Sequence, residues 1–183
     1  MGKRSSFPHR NDYDTPPEAI PALLPHLIAE NVSTFAEPCC GNGVLVGHLE
    51  AASLKCVYMD DIKRGGDALS TPAHIFEFAD AIVTNPPWDR HLLHPLINRF
   101  MRIKPTWLLF EADWAHTIQA GAYIPHCSKI VSVGRLRWIP GSKHTSLDNA
   151  AWYRFDHTHR AGPQFYGRDS SIPVEKIITE AAE

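Results

Sequence analysis

The sequence predicts an α/β fold: a mostly parallel sheet of about seven strands, helices on its faces, and an antiparallel hairpin closing its C-terminal end. Three observations predict it. Ser33 to Glu37 reads as a short strand that enters a glycine turn, Glu37-Pro38-Cys39-Cys40-Gly41-Asn42-Gly43, and then a helix over Val44 to Ala52. Strand, glycine turn and helix open a nucleotide-binding α/β unit. A second buried strand, Ala81 to Thr84, halts at Asn85-Pro86-Pro87-Trp88, because the prolines lack N–H groups and fix φ. Two longer strands, Lys129 to Ile139 and Ala150 to Asp156, flank a loop over 140–149 and form the closing hairpin.

Taken in order, residues 1–14 are polar and read as a flexible segment, and 15–183 as one domain, a size that buries a proper core. Thr15-Pro16-Pro17-Glu18 opens an amphipathic helix, with Thr15 as N-cap and Glu18 completing a capping box. Ile20, Leu23, Leu24, Leu27 and Ile28 give it an apolar stripe. Leu54 to Met59 makes the next strand and ends at Asp60-Asp61, whereas Ser70 to Ala79 has little periodicity and yields at most a short strand. After the Ala81 to Thr84 strand, Leu92, Leu93, Leu96, Ile97 and Phe100 mark a helix ending near Lys104-Pro105. Trp107 to Glu111 is a further strand, followed by helix or loop over Ala112 to Gly121; the tail from Thr158 holds a weak final helix.

Composition narrows the function classes. Hydrophobic residues at 44% and charged residues at 21% suit a soluble globular protein. No apolar run reaches membrane-span length and the start has no apolar leader, so a cytoplasmic location is expected. Met1-Gly2-Lys3-Arg4-Ser5-Ser6 matches a myristoylation pattern, which is read as chance. Four cysteines without a CxxC pair read as small buried hydrophobes, and the eleven histidines form neither an HxxxH nor an HExxH spacing, so no metal is expected. The net charge of −2 hides an asymmetry: Lys129 to Arg168 holds seven Lys or Arg against Asp148 and Asp156. Trp138, Trp152, Tyr153, Phe165 and Tyr166 lie among those bases, a pattern that suits a polyanion with bases to stack on or, equally, a solvated strand and loop.

The glycine turn with Asp61 downstream suits an NAD(P) site as well. Glu37 at the mouth of the turn repels a pyrophosphate and welcomes an ammonium group. S-adenosylmethionine carries an amino group, a ribose and an adenine but no phosphate, and Glu37, Asp61 and Asp67 supply an acceptor for each in order.

With the Asn85 to Trp88 tetrad added, the chain resembles the S-adenosylmethionine-dependent N6-adenine DNA methyltransferases over roughly residues 13–156. Tyr13-x-Thr15-Pro16 looks like the family's motif X in N-terminal, gamma-like order, Glu37-Pro38-x-x-Gly41-x-Gly43 like motif I, and Asp61-Ile62 like motif II. Asp67 looks like motif III and Asn85-Pro86-Pro87-Trp88 like motif IV. The resemblance implies a Rossmann-like class I methyltransferase fold, S-adenosylmethionine as cofactor and catalysis by Asn85, Pro86, Pro87 and Trp88. It implies a cofactor site of Tyr13, Thr15, Glu37, Pro38, Cys39, Gly41, Gly43, Asp61, Asp67 and Asn85. Asn85 Oδ1 and the Pro86 carbonyl would accept the two amine hydrogens of adenine, pulling N6 towards sp³. Trp88 would stack on a base flipped from duplex DNA or met single-stranded.

The second stacking partner is expected to be Trp138, with Trp152 as second choice, and Arg135, Arg137, Lys143 and His144 would face phosphates. The chain is expected to lack the separate target-recognition domain of larger members, resembles small phage-type or restriction-modification enzymes, and is expected to act as a monomer or weak dimer. An RNA base or a protein glutamine amide is an alternative acceptor. A non-catalytic nucleic-acid-binding module and an NAD(P) oxidoreductase are the readings from other classes.

Overall fold

The computed structural model of the protein describes residues 13–168. The sheet has seven strands: β1 (Thr34–Glu37), β2 (Lys55–Met59), β3 (Ala81–Thr84), β4 (Thr106–Glu111), β5 (Cys127–Arg135), β6 (Asn149–Phe155) and β7 (Gln164–Tyr166). They lie in the order β2-β1-β3-β4-β6-β5-β7. β6 is antiparallel to β4 and to β5, and the other adjacent pairs are parallel. The expected Rossmann-like fold class holds: a mostly parallel sheet with antiparallel pairing towards its C-terminal end. The hairpin does not close the sheet, because β7 adds an outer strand parallel to β5.

Among the described residues three α-helices cover the sheet: α1 (Ile20–Ala29), α2 (Val44–Ala51) and α3 (Arg90–Ile103). Parallel strands need crossovers that lay helices on both faces, so their side chains are buried on both sides. Phe35, Val83, Trp107, Leu109 and Trp152 pack with α1 and α2 on one face. Ala36, Ile82, Leu108, Phe110 and Tyr153 pack with α3 on the other. The two sets alternate residue by residue along β1, β3, β4 and β6, as a period of two requires. Four-residue β3 is buried at every position.

Several local expectations fail for identifiable reasons. The capping box at Thr15 does not form: a 3₁₀ turn over Pro17–Ala19 precedes α1, its N-cap is Pro16 and no side chain caps it. Thr15 is buried instead, and Glu18 lies 4.0 Å from Arg137. Residues 70–79 hold a 3₁₀ turn, Ala73–Phe76, in place of a strand. The stretch after β4 is three 3₁₀ turns (Ala112–His116, Ile118–Ala122 and Ile124–His126). β5 begins two residues earlier than expected and ends at Arg135, so Arg137, Trp138 and Ile139 belong to a loop. The weak final helix, as far as it falls beyond residue 168, and the start of the N-terminal segment, residues 1–12, lie outside the described residues. Among the described residues no helix is long and apolar enough to cross a membrane.

Candidate active site

The carboxyl ends of β1, β2 and β3 converge on one edge of the sheet. The chain leaves β1 through the glycine turn with Gly41 at φ +51 and Gly43 at φ +82, values that favour glycine. Gly43 is the N-cap of α2, and a Cβ there would meet the Met59 methyl at 3.2 Å. Asp61, at the end of β2, ties this turn to its own loop: Oδ2 accepts from the Gly41 N–H at 2.9 Å and Oδ1 from the Lys63 N–H at 2.9 Å. Asp67 does a similar local job, with Oδ1 accepting from the Leu69 N–H at 2.9 Å.

A cavity of about 390 Å³ lies over this edge. Nine of the ten expected cofactor residues line it: Tyr13, Thr15, Glu37, Pro38, Cys39, Gly41, Asp61, Asp67 and Asn85. Gly43 does not, because it is turned into the start of α2. The charged lining is acidic, four carboxylates (Asp14, Glu37, Asp61 and Asp67) against Lys63. Asp14 was not foreseen as a site residue. It holds the tip of the glycine turn, accepting from Asn42 Nδ2 at 3.0–3.1 Å through both oxygens. A partner 28 positions away in sequence leaves no local signal.

Glu37 is the electrostatic centre of this cavity. It is 1% exposed, and its Oε2 is buried without a hydrogen-bond partner. Burial pushes its pKa well above the ordinary carboxylate value; the Val46 backbone N–H works the other way, and Asp61 and Asp14 add to the rise. A buried acceptor with no donor costs free energy unless a ligand supplies one. Cys39 beside it is also pushed up by burial, as are Cys56, to about 11, and Cys127, to about 12. Cys40 and Cys127 are buried, as their sequence pattern suggested, whereas Cys39 and Cys56 are half-buried.

The second cavity, about 970 Å³, opens on the far side of Asn85. Tyr13 and Asn85 line both cavities. Asn85 is half-buried at the β3 end, and its amide is held from two sides. Nδ2 donates to the Tyr13 carbonyl at 3.3 Å, and Oδ1 accepts from Trp88 Nε1 at 3.2 Å. The same indole N–H also lies 3.2 Å from the Leu109 carbonyl on β4. The proline pair ends β3 so that Asn85 and Trp88 both project at the junction, and Pro86 and Trp88 line the second cavity.

Trp138 lines this cavity too. Its ring stands edge-to-face on Trp88, with centroids 5.4 Å apart and planes at 86°, and it also touches Tyr13 at 6.1 Å. Sandwiching a base needs two roughly parallel faces with a ring's thickness between them, and this pair is not open in that way. Trp152, the second choice as stacking partner, is a core residue: it is fully buried and its Nε1 donates to the Ala19 carbonyl at 2.8 Å.

The expected phosphate contacts are less concentrated than the sequence suggests. Arg135, Arg137 and Lys143 line neither cavity, whereas His144 lines the second. Lys129 and Arg154 direct their charge to Glu30, at 2.7 Å and 2.9 Å. The second cavity itself is lined by Asp89, Glu111 and Asp148 as well as Arg90, carboxylates that the sequence reading did not single out. Among the described residues no group of three or more His, Cys, Asp or Glu side chains is placed to hold a metal ion.

No family model matches the chain, and no curated protein matches it. Among solved structures, a Vibrio vulnificus YJ016 protein described as a modification subunit of a type I restriction enzyme aligns with 93% of this chain, at a TM-score of 0.48 and 14% identity. The aligned part is 49% of that subunit, so this chain spans about half its length. Likeness at that level says nothing of what this chain binds.

Proposed function

We propose that the protein is an S-adenosylmethionine-dependent methyltransferase that transfers a methyl group to the exocyclic N6 of adenine in DNA. The observation that carries this reading is the meeting of the two cavities at Asn85, whose amide stands between an acidic compartment and an aromatic one. A group-transfer enzyme needs donor and acceptor compartments that share a wall, and here that wall carries the amide.

The acidic compartment fits the cofactor. The unpartnered Glu37 Oε2 suits an ammonium group, and Asp61 and Asp67 retain lone pairs for a ribose diol and an amine. Four carboxylates against one lysine disfavour a pyrophosphate, which argues against the NAD(P) reading. Bound there, S-adenosylmethionine supplies a methyl group on a sulfonium sulfur, which keeps the bonding pair as the new C–N bond forms.

The chain's own residues orient the acceptor. Donation from Nδ2 to the Tyr13 carbonyl turns Asn85 Oδ1 outward, where its second lone pair accepts one N6 hydrogen. The Pro86 carbonyl accepts the other. The nitrogen lone pair then leaves conjugation with the ring and points at the methyl, and after transfer one N6 proton departs to water. Trp88, anchored through its indole N–H, offers a face to the base, and positioning supplies much of the rate. A protein amide is the second acceptor reading. Asp89, Glu111 and Asp148 in the acceptor cavity favour it, because they suit a basic peptide better than a polyanion.

Incubation with methyl-labelled S-adenosylmethionine and duplex DNA, single-stranded DNA, RNA or protein separates these readings. N6-methyladenine in DNA is the expected product. Label confined to protein or RNA moves the acceptor, and label nowhere removes the enzyme assignment.

A further inference from the structure

We propose that an open groove between α3 and the 3₁₀ turns that follow β4, about 720 Å³ in volume, carries the phosphate backbone of the nucleic-acid substrate, with Arg90 as its junction with the acceptor cavity. The inference rests on the nucleic-acid reading above and adds where the polyanion runs.

The acceptor cavity is lined by Asp89, Glu111 and Asp148, so a phosphate backbone meets repulsion there and must be held outside it. The groove next to it has the opposite charge. Arg90, His91 and Arg102 of α3 and His126 of the last 3₁₀ turn line it, and no carboxylate does. Arg90 lines both spaces, so the groove and the cavity adjoin at this residue. The arginines are held by side-chain amides, a ring nitrogen and a carbonyl rather than by carboxylates. Arg90 donates to Gln119 Oε1 and Arg102 Nε to Asn98 Oδ1 at 3.2 Å; Arg160, which is not itself part of the lining, reaches the ring of the groove-lining His126 at 3.0 Å and the His159 carbonyl at 2.6 Å. Among the described residues none of these three arginines pairs with a carboxylate, in contrast to Lys129 on β5 and Arg154 on β6. His94 also lines the groove. Its Nε2 accepts from Trp114 Nε1 at 3.0 Å, and burial together with Arg90 and His91 lowers its pKa.

Planar guanidinium groups presented along a helix face, beside a cavity for a single base, are suited to bidentate phosphate contacts. Such contacts release counterions on binding, which makes affinity fall steeply with salt.

The test is binding of a fluorescein-labelled DNA duplex by fluorescence anisotropy across a salt series, for the wild type and for the double variant Arg102→Gln, Arg160→Gln. Both side chains are exposed, and S-adenosylmethionine affinity, expected to be unchanged, reports that the variant is folded. The variant should bind the duplex several-fold more weakly whatever its sequence. Its slope of log affinity against log salt should be shallower by about 1 for each phosphate that is no longer neutralised. Equal affinity and slope in variant and wild type overturn the groove while leaving the acceptor reading intact. Absence of salt-dependent DNA binding by the wild type overturns both.

Discussion

A carboxyl group as deeply buried as Glu37 either keeps its proton or meets a cation. Its folded-state pKa is raised by burial, so the folded chain holds a proton that the unfolded chain releases above about pH 4.3. The stability linked to this group is therefore fully present below that pH and declines as pH rises towards the folded value. Glu37→Gln removes the decline: at mildly alkaline pH the cofactor-free variant should melt at or above the wild-type temperature, read by calorimetry. Its affinity for S-adenosylmethionine should fall by about 10- to 100-fold, the value of a charge-assisted hydrogen bond. Wild-type affinity should rise with pH as the proton is displaced. Equal affinities for the two proteins in titration calorimetry remove Glu37 from the ammonium site. The position of this residue in the cavity was legible because an acid directly before the glycine turn is a local feature. The two tryptophans weighed as stacking partners were not separable that way. Trp152 is fixed in the core by the Ala19 carbonyl 133 positions away, and Trp138 by contact with Trp88 and Tyr13.

Elements were readable where their signals are local. β3 ends at two prolines, and α2 starts at a glycine in the left-handed region. That start gives a paired prediction. Gly43→Ala places a Cβ at φ +82 and should cost about 1–2 kcal/mol, lowering Tm by several degrees. The Met59 methyl facing it is the end of a flexible side chain and can move aside. Gly47→Ala, one turn into α2 with nothing near its Cβ, should stabilise by about 0.5–1 kcal/mol. Melting curves that move in the same direction for both variants contradict this picture of the turn. Other elements lacked a local signal. β7 is three residues with Gln164 and Phe165 exposed, and its place is set by pairing with β5. The capping box at Thr15 had the right residues, yet the Pro16-Pro17 pair drew the chain into a 3₁₀ turn with Thr15 buried.

At the scale of the whole molecule, charge is sorted by tertiary contacts that no window of sequence contains. Seven bases between Lys129 and Arg168 read equally as a surface for a polyanion or as a solvated strand and loop, but Glu30, 99 and 124 positions away, binds two of them. Beside the second cavity, Arg90 and Arg102 lie on α3, where their spacing passes for the solvent face of an amphipathic helix. The division into two cavities sharing Asn85 was likewise beyond the sequence, although part of each lining was named from it, Glu37, Asp61 and Asp67 in one and Pro86, Trp88 and Trp138 in the other. That division is the centre of the account, and Asn85→Ala tests it most directly when cofactor affinity and methyl transfer are measured on the same preparation. The predicted result is near wild-type affinity for S-adenosylmethionine with transfer to DNA reduced by about 10²-fold or more, the scale of removing one preorganised polar group from the transition state. Transfer that survives the substitution, or affinity that collapses with it, would contradict a role for Asn85 at the wall between donor and acceptor.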